Sequence, residues 1–361
     1  MKRLSVGQRN TPNSSAIDRG FREIFARRYF ANNGPMVQHL DAAIAQYTGV
    51  EYAISVANEM TAMMLLAKSL FAPGEIIVPA YLSASMVEAL VWGEFTPVFA
   101  DIDPITWSLS PETLRLVLTR RTTGIVGEHF LGRVGDPLVL ERLAGSYGIP
   151  LLFDASDALG CATADRRAGS FGVGEVFSLH ERSLLNGAEG GCVTTHKPDL
   201  AAKLRTRRNF SLTETPDDIH FRMNGKMAEA SAMLALAGLR EVDGWIVRNR
   251  ERFRAYEIGL RGCNGVTLVP FDRAGSNYMR VVVDVDEERA GIGGEELLTE
   301  LARDGIFATR PLASIHDAVV ADAPVALRLR DRLVELPNAS DVSPEDAAMV
   351  CSSLVRLCRR R

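Results

Sequence analysis

Apolar positions over the first two thirds of the chain follow two rhythms. Met36, Val37, Leu40, Ala43, Ile44 and Tyr47 recur at helical spacing, and Gly49 marks the expected stop. A second helix is expected from Thr61 to Leu70, broken by Pro73-Gly74, with a strand from Glu75 to Val78 ended by Pro79. Short apolar runs predict further strands at Pro97 to Ala100, Gly124 to Gly127, Pro150 to Phe153, Glu175 to Ser178 and Gly191 to Thr195. Helices are expected between them at Ala84 to Trp92, Pro111 to Leu118 and Pro137 to Tyr147.

This alternation, running from about residue 36 to 240, predicts an α/β fold: a mainly parallel central sheet covered on both faces, a three-layer sandwich. A long helix from about Lys226 to Leu260 is expected to lead into a small α+β C-terminal domain built on Tyr278 to Asp286, Glu295 to Arg303 and Ala347 to Leu357. The expected division is an N-terminal arm over 1–30, a large domain over 31–245 and a small domain over 246–361.

The 361 residues, 47% of them hydrophobic, suit a globular protein of two domains rather than a disordered chain. A net charge of -4 gives no basic excess, so nucleic acid is not an expected partner. The N-terminus lacks the apolar segment of a signal peptide, and no run reaches membrane-spanning length. Five scattered cysteines without CxxC spacing read as reduced, mostly buried thiols, which implies a cytoplasmic location and no metal site. Only five of the 41 basic residues are lysines: Lys2, Lys68, Lys197, Lys203 and Lys226.

Several motifs occur in a fixed order: Gly34-Pro35, Val78-Pro79-Ala-Tyr81, Pro97-Val-Phe-Ala-Asp-Ile-Asp103, His129-Phe-Leu-Gly132, Asp154-Ala-Ser-Asp-Ala-Leu-Gly160, Glu189-Gly190-Gly191 and Asn224-Gly-Lys-Met-Ala-Glu229. Together they resemble the DegT/StrS family of nucleotide-sugar aminotransferases that depend on pyridoxal phosphate (PLP). The resemblance implies the PLP-transferase fold of type I and a role in sugar or secondary-metabolite biosynthesis, such as antibiotic assembly. It also implies a homodimer with shared sites, in which the Asn224 and Lys226 segment reaches the neighbouring subunit's cofactor, and it matches Arg310 and His316 to the family's Arg and His of the small domain.

PLP chemistry needs a carboxylate at the pyridine nitrogen, donors for the phosphate and an amine for the imine. Asp154 matches the family's ring-nitrogen aspartate; alternatively it caps a helix after a strand. Ser178 matches a phosphate donor, or else bonds its own backbone. At Asn58-Glu59-Met60 the family has a Gly-Thr turn that holds phosphate, and Glu59 would oppose a phosphate by about 1 to 4 kcal/mol at ~4 Å. Glu59 alternatively sits in the first helical turn and points to water. Tyr81 lies where relatives stack a ring on the cofactor, though its loop is one residue short, and Asp157 stands where the family carries His or Gln.

The family's imine-forming lysine aligns with Ser183, counted from Phe177-Ser178 and from Glu189-Gly190-Gly191 alike. A serine hydroxyl forms no stable imine and cannot relay the 1,3 proton shift, so ordinary transamination is expected to fail. A substitute base could come from His180, Glu181 or Arg182 of the same loop, with His180 best by intrinsic pKa; alternatively His180 is a structural histidine of its loop. With Glu59, Asp154, Asp157 and Glu128, an acidic cavity suited to an amine-bearing or sugar-derived small molecule is expected. Three readings follow: an acid/base enzyme without covalent PLP; an enzyme using PLP or its amine form (PMP) noncovalently, as a dehydratase does; and a non-catalytic partner of an active aminotransferase.

Overall fold

The computed structural model describes residues 2–163, 165–210, 221–270, 275–311 and 322–358. Its centre is a seven-stranded sheet in the order Tyr52–Val56, Gly191–Thr195, Gly174–Ser178, Leu151–Asp154, Thr122–Glu128, Glu75–Pro79, Thr96–Ala100. Gly191–Thr195 runs antiparallel to both neighbours and the remaining pairs are parallel. Glu75–Pro79 and Gly174–Ser178 are buried throughout, as strands covered on both faces must be. One face packs on Leu40, Ile44, Phe177 and Trp245, the other on Leu65, Leu66, Val126 and Val176. The expected three-layer α/β sandwich is the observed one.

Helix Pro35–Thr48 starts on a proline and stops at Gly49, whose φ of 76° is the left-handed cap that a side chain disfavours. Tyr52–Val56, which no strand expectation covered, forms one edge of the sheet. The single long helix expected from Lys226 to Leu260 is two, Glu229–Leu239 and Val242–Gly259. Trp245 folds back over Gly238, where an added Cβ would meet its ring at 2.9 Å, so the chain turns between the two helices.

The C-terminal part holds an antiparallel sheet with Val281–Val285 between Val266–Leu268 and Leu333–Leu336, flanked by helices Gly294–Arg303 and Pro344–Cys358. The first thirty residues bind both regions. Leu4–Ser5 pairs with Ile306–Phe307, and Ile24 of helix Ser14–Arg27 packs in the same core as Met233. None of the five cysteines, all among the described residues, forms a disulfide, and four are buried.

Candidate functional site

Glu128, Asp154 and Ser178 end three neighbouring parallel strands and face one cavity of about 420 Å³. This is the carboxyl edge at which α/β sheets bind ligands. Glu59 reaches the cavity from the start of helix Glu59–Leu70, His180, Arg182 and Ser183 from the loop after Gly174–Ser178, and Arg280 and Glu335 from the C-terminal sheet region. A larger cavity, about 1120 Å³, lies against helix Pro35–Thr48, away from these strand ends.

Glu189-Gly190-Gly191 has a packing reason. A Cβ on Gly191 would lie 2.4 Å from the Asn58 carbonyl oxygen and 2.7 Å from the Glu59 nitrogen, so its absence lets the helix start close on the sheet. Glu59 is thereby held at the cavity, where Ser85 Oγ donates to its Oε1 at 3.3 Å. The expected alternative, a carboxylate pointing to water, is replaced by one aimed at the site.

Asp154 Oδ1 accepts the Ser156 amide at 2.9 Å. Burial pushes its carboxyl up to about 7 against the Ser156 hydrogen bond, and the nearby charges of Glu59 and Asp157 add to the rise. Glu128, register partner of Asp154, is raised well above the usual carboxylate range by burial and then by Asp154 and Asp157. Asp157 is different: Arg280 Nε donates to its Oδ2 at 2.5 Å and Nη2 to its Oδ1 at 3.2 Å, while Nη1 donates to Glu335 Oε2 at 2.7 Å. The cavity is therefore not the uniformly acidic one expected, because Arg280 neutralises Asp157 and Arg182 and Arg310 also line it.

His180 Nδ1 accepts the Arg182 amide at 3.2 Å, and its Nε2 lies 3.6 Å from Glu189 Oε1. Only Nδ1 is hydrogen-bonded by the loop, because the Nε2 contact is longer than a hydrogen bond and joins two solvent-exposed side chains. Ser178 Oγ accepts the His180 amide at 3.4 Å while facing the cavity, so it serves its own loop. Ser183 is buried at the cavity wall, and its amide donates to the His180 carbonyl at 2.9 Å. All five lysines are described, and none lines the cavity.

Five expected binding residues lie outside it. Asn58 caps its helix through the Thr61 amide at 2.8 Å, and Met60 packs on the sheet core. Tyr81 is not a stacking ring: it is buried against Phe130 at 4.9 Å, and its hydroxyl donates to the Pro311 carbonyl at 2.8 Å. Lys226 donates to Asn224 at 2.6 Å, so within one subunit the two serve each other. Arg310 does line the cavity, whereas His316 lies outside the described residues. The sequence reading missed Arg280 and Glu335, because nothing local in the sequence of a C-terminal strand says that it ends against the larger sheet.

The DegT/DnrJ/EryC1/StrS aminotransferase family model matches residues 14–355. A dTDP-4-amino-4,6-dideoxy-D-glucose transaminase of Shigella dysenteriae is 25% identical over 362 residues, covering 98% of each chain. The crystal structure of DesI in the presence of its TDP-sugar product superposes with a TM-score of 0.95 at 32% identity, covering 100% of this chain and 94% of that one. Helicobacter pylori PseC, an aminotransferase of pseudoaminic acid biosynthesis, shares the fold at a TM-score of 0.89 and 19% identity, covering 99% of each chain. On the extent of these matches, the chain belongs to the DegT/DnrJ/EryC1/StrS aminotransferase family.

Proposed function

We propose that this member of a sugar-aminotransferase family acts on a sugar-type small molecule by acid/base chemistry, without an imine-bound PLP. One observation carries the reading: Ser183 occupies the cavity wall that Asp154 also lines, and no lysine reaches that cavity. Of the three devices that PLP needs, Asp154 fits a ring nitrogen, but Ser183 offers no amine and Glu59 opposes a phosphate at the helix start. The residues present therefore do not fit the covalently held cofactor.

The chemistry falls instead to the buried carboxyls. Asp154, poised near neutrality, can give a proton to a ligand oxygen and take it back, the property required of a general acid or base. Arg280 holds Asp157 and Glu335 in ion pairs, so they shape the wall of the cavity.

A second reading, noncovalent use of PLP or PMP, is favoured by the Ser156 amide that holds Asp154 Oδ1 and leaves the rest of the carboxylate for a ring N–H. The test is reconstitution with PLP, borohydride reduction and intact-mass measurement. No reduced adduct is expected, and a stoichiometric adduct on any lysine sinks the proposal; reversible binding without an adduct selects the second reading.

A further inference from the structure

Glu128 is 8% exposed and faces the cavity, yet its carboxyl makes no hydrogen bond or ion pair among the described residues. Burying such a group without a partner is costly, so its site is complete only when something fills it. Two neighbours repeat the observation. Among the described residues, Ser156 Oγ and His129 Nδ1 are also buried without a partner, and both residues line the same cavity. His129 Nε2 lies 3.0 Å from Glu175 Oε2, so in the neutral ring that donates to this carboxylate Nδ1 is an acceptor. Glu128 and His129 Nδ1 thus share one deficiency, a lack of hydrogen-bond donors, while the Ser156 hydroxyl can donate as well as accept.

We propose that Glu128 and Asp154 form a subsite for a protonated primary amine of the ligand, a group with three donors and one positive charge. The inference rests on the reading of this cavity as a small-molecule site and deepens it by naming the ligand's charged group. The two carboxyls are register partners on parallel strands, so their side chains leave the same face of the sheet at neighbouring positions. Register partners on adjacent strands stand about 5 Å apart at the backbone, so each carboxyl disfavours the other's ionisation and we expect the pair to share a proton.

The other charges around the pair leave it free. Asp157 and Glu335 are held by Arg280. Arg310 Nε is bound to Glu295 at 3.1 Å and its Nη1 to the Asp331 carbonyl at 2.7 Å. The cavity is also lined by Glu59, which adds negative charge, by Arg182, which adds positive charge, and by His180, and Arg280 acts on Glu128 from its place between Asp157 and Glu335. A bound ammonium replaces the shared proton as the pair's positive charge, and that proton leaves to solvent.

The experiment is calorimetric titration of the full chain with dTDP-4-amino-4,6-dideoxy-D-glucose and with dTDP-6-deoxy-D-glucose, in phosphate and in Tris buffer. The aminated sugar is expected to bind at least about tenfold more tightly, with buffer-dependent heats that report release of about one proton and affinity that rises from pH 6 to pH 8. Glu128→Gln, checked for folding by circular dichroism, is expected to erase both the preference and the proton release. Equal binding of the two sugars overturns the subsite but leaves the sugar reading intact, and no binding of either overturns both. Preference for the amine without proton release, or unchanged in Glu128→Gln, also overturns it. Because the parent's proton release is read without any substitution, a misfolded variant does not shield the proposal.

Discussion

Arg280 closes a two-point ion pair on Asp157, joining residues 123 apart in the chain: the start of the C-terminal sheet and the loop after the strand that ends in Asp154. Its third contact, to Glu335, makes it the cation between the half-buried Asp157 and the buried Glu335. Burial alone lowers a guanidinium's pKa, but Asp157 and Glu335 outweigh it and hold Arg280 above its ordinary value.

Removing that cation strands two carboxylates in the wall. Arg280→Met is expected to cost about 3 kcal/mol of stability in urea unfolding, and Arg280→Lys, which keeps the charge but loses the fork, less. A methionine variant as stable as the parent would show that the pair does not tie the two regions together.

Asp154 gives stability a pH dependence of defined sign. Its carboxyl stands at about 7 in the folded chain and 3.8 in the ordinary case, so the folded state binds the proton more tightly. The favourable contribution is complete below the lower value and is lost as pH rises through the upper one. Asp154→Asn is therefore expected to gain on the parent by on the order of 2 kcal/mol between pH 5 and pH 8. A stability difference that stays level over that range contradicts the raised carboxyl.

Two substitutions ask what the site has lost. Ser183→Lys is expected to form a borohydride-reducible adduct with PLP, and adding Glu59→Gly to tighten retention by on the order of tenfold through relief of charge repulsion. If the double variant holds PLP no better than the single one, Glu59 does not oppose the phosphate.

The sequence alone determined the layered α/β fold, because apolar spacing at helical and strand periods fixes which segments bury two faces and which bury one. The motif resemblance also placed Asp154, Ser178, Ser183 and Glu59 at one site, with Asp154 and Ser178 at strand ends, Glu59 at a helix start and Ser183 in the loop after Gly174–Ser178. Only the tertiary structure decided which charges are free. Arg280 and Glu335 come from a distant sheet, Glu128 gains its meaning from the strand beside it, and Tyr81 and Asn58 turn inward to core and cap. Ionisation in a cavity depends on neighbours through space and on exclusion of water, and neither is written in the local order of residues.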